Sequence, residues 1–303
     1  MSRGAPEHRI TSGGYAAVVT EIGGGLRLLS HEDRDLIRPY GADEIRPRYR
    51  GALLAPWPNR VVDGRYSFDG EQYQLDLTEP ARGHALHGLV AWSRFALTRQ
   101  EESSVTVTHR IAPRTSYPFE IELRATYALD DHGLSCTVTA ENHGDRAAPY
   151  GVGSHPYLVA GDGPVDRWSL ELPARQVLAV TGERLLPVGL VDVAGGTFDF
   201  REPRSLSGVQ LDHAYTAVSA GSDGVARARV RTEDGSGVEC SWDPAGLPWV
   251  QVHTADLPPP ERSRAGLALE PMSCPPDAFS SGTDLRRLEP GDTVQDAWRV
   301  SAL

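Results

Sequence analysis

The chain contains no lysine, and its 30 strongly basic residues are all arginine. This absence excludes Schiff-base chemistry, a lysine-bound pyridoxal cofactor and a Walker A lysine within this sequence. No run of 18 apolar residues occurs, so we predict no transmembrane helix. The first four residues do not resemble a signal peptide, and we therefore expect a cytoplasmic protein with no membrane partner.

Cysteine is also scarce, and basic residues are fewer than acidic ones. The three cysteines, Cys136, Cys240 and Cys274, lie far apart, and their odd number argues against a disulfide framework. We expect them to be small buried residues in a reducing compartment. The 30 basic residues face 41 acidic ones, which gives a net charge of −11. Without a basic tract, this balance disfavours nucleic acid as a partner.

Glycine and proline are abundant, and alternation with a period of two dominates the chain. Residues 121–129 alternate apolar and mostly polar side chains, and the pattern resumes from Leu134 to Ala140 after an Asp/Gly turn. This arrangement predicts a β-hairpin. Two more hairpins are indicated at residues 65–75 and 226–242. We predict an all-β antiparallel fold of two large stacked sheets, forming a single domain over residues 1–303.

Two segments place ionisable side chains beside rigid backbone. In residues 55–60, two prolines precede Asn59 and Arg60, and an arginine held in this way can donate to hydroxyl groups or a carboxylate. The second segment contains His84 and His87, three residues apart. No third ligand lies nearby and imidazole hydrogen bonding explains the pair equally well, so we predict no metal.

Two further segments combine glycine or proline with one titratable group. His155 precedes Pro156 in a glycine-rich stretch, which predicts an extended and rigidly held histidine. Glu270 ends an apolar strand and precedes Pro271, so its carboxylate should be partly buried and require partners or a function. If these two residues lie on neighbouring strands, they could form an acid–base pair. An ordinary structural role for His155 remains an alternative.

Taken in order, these segments resemble the aldose 1-epimerase (galactose mutarotase) family over nearly the whole chain. One such motif would be weak, whereas the ordered set is specific. The motifs that carry the resemblance are Pro58-Asn59-Arg60, Leu86-His87-Gly88, Ser154-His155-Pro156-Tyr157, Leu211-Asp212-His213, Val250-Gln251-Val252-His253-Thr254 and Leu269-Glu270-Pro271.

The resemblance implies a large β-sandwich of the galactose mutarotase-like (supersandwich) type, with no cofactor and no metal. Its substrate would be a small sugar bound in an open cleft across one sheet, and its assembly a monomer or homodimer. Glu270 falls on the family's general base and His155 on its general acid. We expect neighbouring charges to keep Glu270 ionised and His155 protonated. The positions that would hold sugar hydroxyl groups are Asn59, Arg60, His87, Asp212 and Gln251.

Some features depart from the family pattern and leave the preferred sugar open. The segment from Gly88 to Trp92 is short, and His253 stands where a tyrosine is common. The segment from Gln251 to Glu270 also looks compact, and it contains Leu257-Pro258-Pro259-Pro260, which we predict to be a rigid surface loop.

Three alternative functions remain. A hexose-6-phosphate 1-epimerase would need additional arginines at the cleft to hold the phosphate dianion. A non-catalytic carbohydrate-binding module would not need a matched acid and base. A glycoside hydrolase usually requires two flanking carboxylates. Asp212 and Glu270 could supply them, although an intervening histidine acid fits that reaction poorly.

Overall fold

The computed structural model describes residues 6–256 and 263–303. The loop predicted at residues 257–260 lies outside the described residues. Elsewhere the chain is built almost entirely from strands, with a 3₁₀ turn at Val165–Arg167 and a one-turn helix, α1, at Ala278–Ser281. The strands in chain order are β1 Glu7–Ser12, β2 Tyr15–Thr20, β3 Gly25–His31, β4 Arg34–Asp35, β5 Leu53–Leu54, β6 Arg60–Val62, β7 Arg65–Phe68, β8 Glu71–Gln74, β9 His84–Leu86, β10 Ala96–Gln100, β11 Ser104–Ile111, β12 Ile121–Asp130, β13 Gly133–Asn142, β14 Ala148–Tyr150, β15 Gly153–Ser154, β16 Tyr157–Leu158, β17 Ser169–Glu171, β18 Ala174–Val180, β19 Pro187–Asp192, β20 Arg204–Ser205, β21 Asp212–Val218, β22 Ala226–Arg231, β23 Gly237–Trp242, β24 Trp249–His253, β25 Leu267–Met272, β26 Arg286–Leu288 and β27 Thr293–Ala302.

Two large sheets account for most of these strands. One sheet has nine strands in the order β10-β11-β12-β13-β27-β23-β22-β17-β20. The other has eight, in the order β19-β18-β21-β24-β25-β15-β5, with β16 also pairing with β25. Strands β1 to β4 form a four-stranded sheet, and three two-stranded sheets pair β6 with β9, β7 with β8 and β14 with β26. Neighbouring strands in both large sheets run antiparallel, which confirms the predicted all-β antiparallel fold.

The core lies between the two large sheets. On the nine-stranded sheet, Leu123 and Val138 face inward, and on the eight-stranded sheet Val250 and Leu269 do so; all four belong to one buried cluster. Burying an aliphatic side chain of this size contributes about 1.5–3 kcal/mol, so the stacked inward faces hold the sandwich together. The outward positions of β12 are partly or fully exposed, as the period-two pattern requires.

The three predicted hairpins are confirmed as β7–β8, β12–β13 and β22–β23. The three cysteines are buried and free, as expected. None of the helical segments in the described part of the chain has the length and apolar character needed to cross a bilayer.

Candidate active site

Three adjacent strands of the eight-stranded sheet carry three of the predicted site residues. In the antiparallel register, Gln251 on β24 lies opposite Glu270 on β25, and Asp212 on β21 lies opposite His253 on β24. Gln251 and His253 are two residues apart in one strand, so their side chains share a face. All four side chains line one cavity of about 450 Å³. The sheet register thus brings together residues that are up to 58 positions apart in sequence.

His155 reaches the same cavity from the neighbouring strand, because it directly follows β15, which pairs with β25. Its backbone is fixed: the His155 N–H donates to the Ala52 carbonyl at 3.1 Å, and the Gly51 N–H donates to the His155 carbonyl at 2.7 Å. Its ring stacks on Tyr157, with centroids 5.1 Å apart. This arrangement brings His155 Nε2 to 3.3 Å from Glu270 Oε1. His155 thus lies just beyond the end of β15, beside Glu270 on the neighbouring strand β25.

Asn59 and His87 enter the cavity from two segments that adopt left-handed backbone conformations, with φ of 55° and 59°. The His87 N–H donates to the Asn59 carbonyl at 2.8 Å and ties the two segments together. Gly88 follows with φ of 73°, and a Cβ at that position would collide with the Ala55 carbonyl. Only glycine fits there, which explains the His-Gly sequence. Arg60 follows Asn59 and begins β6.

A chain of charged groups extends along the cavity wall. Gln251 Nε2 donates to Asp212 Oδ1 at 2.7 Å, and Arg60 Nη2 lies 3.7 Å from Asp212 Oδ2. Arg60 also makes a two-point ion pair with Glu79, at 2.8 and 3.1 Å. Arg82 donates to the same Glu79 carboxylate at 2.9 Å. Asp212 and Arg60 are therefore held in place before any ligand arrives.

Burial dominates the electrostatics of the His155–Glu270 pair, since the two residues are only 5% and 1% exposed. Burial raises the pKa of the Glu270 carboxyl well above its usual range, and the Asp212 charge adds to that effect. Burial lowers the pKa of His155 to about 3, assisted by His253. The expectation that neighbouring charges keep Glu270 ionised and His155 protonated is wrong, because the loss of hydration outweighs the effect of Arg60 on the Glu270 pKa and that of Asp212 on the His155 pKa.

Several polar atoms buried around this cavity have no hydrogen-bond partner within the described residues. They are His87 Nδ1, His155 Nδ1, Gln251 Oε1 and Glu270 Oε2. An unsatisfied buried polar group costs about 1–3 kcal/mol, so native proteins rarely concentrate such groups without a use for them. A mixed set of unpaired donors and acceptors suits a ligand that carries many hydroxyl groups.

The two histidines of the His84–His87 segment do not converge. His84 is fully buried, and its Nε2 lies 2.8 Å from the Arg184 carbonyl, to which it must donate. His87 lines the cavity, and His84 does not. Within residues 6–256 and 263–303, no group of three or more His, Cys, Asp or Glu side chains is arranged to hold a metal ion. The two histidines therefore have separate places in the fold: His84 makes a buried hydrogen bond, and His87 faces the cavity.

The structure adds several residues that the sequence analysis did not place in the site. Tyr49 lies against His87 and His155, with ring centroids 4.7 and 6.4 Å apart. Trp92, from the short segment after His87, packs on Tyr49 and is 51% exposed, but it does not line the cavity itself. His253, noted as unusual, has its Nδ1 3.1 Å from a backbone carbonyl, so this nitrogen carries a proton.

Of the missed residues, only Glu79 had a sequence signal. It precedes Pro80, as Glu270 precedes Pro271. The same Glu-Pro pair recurs at Glu202 and Glu289, which do not line the cavity, so the signal is not specific. Tyr49 and Arg48 both adopt left-handed backbone conformations, which no sequence motif indicated.

Comparisons with known proteins agree on one family. The sequence matches the family model described as aldose 1-epimerase over residues 6–301. It is 35% identical to the uncharacterised protein YihR of Escherichia coli, over 93% of this chain and 88% of that protein. It is 30% identical to galactose mutarotase of Rattus norvegicus, over 52% of this chain and 47% of that protein.

Solved structures agree on the fold. A putative aldose 1-epimerase from Escherichia coli superposes with a TM-score of 0.84 at 20% identity, covering 98% of this chain and 99% of that one. A galactose mutarotase-like protein from Clostridium acetobutylicum gives 0.86 at 15% identity, with 98% coverage of both chains. At these identities the likeness demonstrates the architecture, and the chemistry has to be argued from the residues themselves.

Proposed function

Since the chain belongs to the aldose 1-epimerase family, we propose that it interconverts the α and β anomers of a free aldose. One observation carries this proposal: a buried glutamate and a buried histidine lie 3.3 Å apart, with Glu270 Oε1 facing His155 Nε2, in a cavity lined by hydroxyl-binding groups. Recognition of hydroxyl groups alone does not require a matched acid and base. The non-catalytic module is therefore the weaker reading.

The reaction opens a cyclic hemiacetal and closes it on the other face. Glu270 takes the proton of the anomeric hydroxyl while the bond between C1 and the ring oxygen breaks. His155 gives its Nε2 proton to the ring oxygen, which leaves an open-chain aldehyde with a free hydroxyl. Rotation about the C1–C2 bond turns the carbonyl, and the two transfers then run in reverse. Each positioned proton transfer contributes about 10²–10⁴-fold to the rate.

The burial of the pair suits this exchange. Ionised Glu270 with protonated His155 has no net charge, and neither does protonated Glu270 with neutral His155. Ring opening converts the first arrangement into the second, so no net charge is created in the buried site. Burial favours the second arrangement by its opposite effects on the two pKa values. Burial thus favours both transfers of the ring-opening step, from His155 to the ring oxygen and from the anomeric hydroxyl to Glu270.

Five further side chains would orient the ring. Asp212 accepts hydrogen bonds from sugar hydroxyl groups, and Arg60 and Asn59 donate them. His87 and Gln251 bring the unpaired Nδ1 and Oε1 atoms noted above. Because most of these groups are fixed by the protein before binding, the sugar bears little of the ordering cost.

The test is polarimetry on freshly dissolved α-glucose and α-galactose, with the wild type and with Glu270→Gln. We expect rapid equilibration by the wild type without an added cofactor, and loss of most of the acceleration in a variant whose circular dichroism is unchanged. A folded wild type that accelerates none of the free aldoses tested would exclude this function. Release of nitrophenol from an aryl glycoside would instead point to a hydrolase.

A second candidate, hexose-6-phosphate 1-epimerase, is favoured by Arg48. This side chain lines the cavity and makes no ion pair among the described residues, whereas Arg60 and Arg82 are engaged by Glu79. An unengaged guanidinium is suited to a phosphate dianion. If the phosphorylated sugar is the substrate, α-glucose 6-phosphate will be preferred over α-glucose, and Arg48→Gln will remove that preference while leaving the rate on glucose unchanged.

We further propose that residues 1–303 act as one domain, as a monomer or homodimer in the cytoplasm. Size-exclusion chromatography with light scattering tests the assembly.

A further inference from the structure

The carboxylate of Glu79 bridges two arginines at the wall of the cavity. Its Oε2 accepts from Arg60 Nε at 2.8 Å, and its Oε1 accepts from Arg60 Nη2 at 3.1 Å and from Arg82 Nη1 at 2.9 Å. The Arg60 and Glu79 side chains are only 11% and 13% exposed. The Glu79 backbone N–H donates to the His84 carbonyl at 2.9 Å, which fixes the origin of the side chain. This is a preorganised two-point ion pair.

The pair determines which donors of Arg60 remain for a ligand. A guanidinium has five N–H groups, and Glu79 takes two of them, the Nε proton and one on Nη2. Arg60 Nη1 makes a long contact of 3.4 Å with Asn59 Oδ1. At least one N–H group on each terminal nitrogen is then left, on a guanidinium whose orientation is locked. Glu79 thereby presents Arg60 to the cavity in one orientation.

Glu79 also acts on the charge of the site. The positive charge of Arg60 lowers the pKa of both Glu270 and His155, against the larger effect of burial. A carboxylate in direct contact with that guanidinium cancels part of its field. The other titratable or charged groups that act on the buried pair are Asp212, His87, His253 and Tyr157.

We propose that Glu79 is a positioning residue for the sugar site, holding the Arg60 fork in its binding orientation and tempering its charge at the Glu270–His155 pair. This inference rests on the proposed function. Neither the sequence motifs nor the family resemblance assigned a role to Glu79.

Two substitutions separate geometry from charge. Glu79→Gln preserves the length of the side chain and removes its charge. Glu79→Asp preserves the charge and withdraws the carboxylate by one methylene. The matched control is Glu171→Gln, because Glu171 also bridges two arginines, Arg229 at 3.1 Å and Arg231 at 3.0 Å, on β17 of the other large sheet. It tests the loss of such a bridge away from the cavity.

We expect KM for the better of α-glucose and α-galactose to rise about tenfold in Glu79→Gln, with kcat changed less than about threefold, because a charge-assisted contact that orients a binding residue is lost. Both limbs of the pH profile of kcat/KM should move to lower pH in this variant. The charge of Arg60, no longer offset by Glu79, then lowers the pKa values of both Glu270 and His155 more strongly. In Glu79→Asp, KM should rise while both limbs stay at their wild-type positions. Glu171→Gln should change neither quantity.

Circular dichroism and thermal melting establish whether each variant is folded. If Glu79→Gln does not fold, the KM of Glu79→Asp tests the proposal. A folded Glu79→Gln with wild-type KM and wild-type limbs overturns the proposal. So does Glu171→Gln if it reproduces the effects of Glu79→Gln. Calorimetric titration with 1-deoxyglucose and 1-deoxygalactose, which lack the anomeric hydroxyl, separates this outcome from failure of the proposed function. An inactive wild type refutes mutarotation, whereas an unchanged Kd in Glu79→Gln refutes the positioning role.

Discussion

Two buried carboxylates in this protein have opposite surroundings. Asp296, on β27, is 4% exposed, and Arg286 holds both of its oxygens, at 2.5 and 2.7 Å. The same guanidinium donates to the Gly246 carbonyl at 2.7 Å. Glu270 is 1% exposed, but one of its oxygens has no hydrogen-bond partner in the described parts of the chain and the other lies 3.3 Å from His155.

The difference separates a structural group from a functional one. Burial alone does not mark an active-site carboxylate, because Asp296 is buried almost as deeply as Glu270. A fully paired buried carboxylate compensates its arginine, and removal of either partner leaves a buried charge unpaired. A buried carboxylate that keeps an unpaired oxygen beside a cavity carries a cost that a ligand can offset.

The largest effect is expected on the rate. His155→Gln removes the proton donor while keeping a side chain of similar size, so kcat should fall about 10²–10⁴-fold. Polarimetry on the better aldose measures the rate, and circular dichroism checks the fold. A variant that retains more than a tenth of the wild-type rate would assign the acid role to another group.

A large loss of stability is expected at the other carboxylate. Asp296→Asn removes one partner of a buried ion pair and leaves Arg286 uncompensated, which typically costs about 3–5 kcal/mol of unfolding free energy. Urea denaturation followed by tryptophan fluorescence measures the cost. The rate per folded molecule should stay at the wild-type value. A selective loss of rate in a stable variant would contradict the contrast.

The wild-type pH profile should be broad. The Glu270–His155 pair titrates in two steps: it takes up a second proton at a low pKa and loses its last proton at a higher pKa. Between these two values it holds one exchangeable proton. Burial lowers the pKa of His155 to about 3 and raises the pKa of Glu270, so both limits move outward. We expect kcat/KM to show no acid limb centred near pH 6.5. An acid limb at that ordinary histidine value would mean that burial does not set the pKa values of the Glu270–His155 pair.

The smallest expected effect is a gain in stability at Glu270. The pKa of its carboxyl is higher in the folded than in the unfolded protein, so its contribution to stability is present below the unfolded value and is lost as pH rises through the folded value. Glu270→Gln removes this penalty. Its unfolding free energy should exceed that of the wild type by about 1 kcal/mol at pH 8, and by less at pH 5. Urea denaturation at both pH values is the measurement. A larger gain at pH 5 than at pH 8 would mean that folding lowers the pKa of Glu270 instead of raising it.

Much of the fold was predictable from local sequence. The alternation on either side of residues 130–133 predicted the β12–β13 hairpin, because a period of two distinguishes the two faces of a strand wherever it lies. The Asp-Gly turn at residues 69–70 likewise predicted β7–β8. The order of the strands within each sheet was not predictable in this way, since alternation says which face is buried and not which strand is the neighbour.

The site residues also fall into those that local sequence motifs indicate and those that only the folded chain brings together. Sequence motifs around Asn59, His87 and Glu270 indicated candidate site residues, and the structure places these residues in one cavity. Glu79 and Tyr49 could not be assigned to the site in this way, because the Glu-Pro pair at Glu79 is not specific and the contacts that matter, Glu79 with Arg60 and Tyr49 with His87, join distant parts of the sequence. The roles of acid and base were inferred from the resemblance and stay proposals.

The amino-acid sequence was enough to predict an all-β chain, its hairpins, its family and the residue types available for acid–base chemistry. The folded chain was needed to show that Glu270 and His155 lie 3.3 Å apart, that Glu79 pairs with Arg60, and that burial shifts the pKa values of Glu270 and His155 in opposite directions. The reason is physical. Strand periodicity is a local property of the backbone, whereas a pKa depends on the water and charges within a few ångströms, which distant parts of the chain supply.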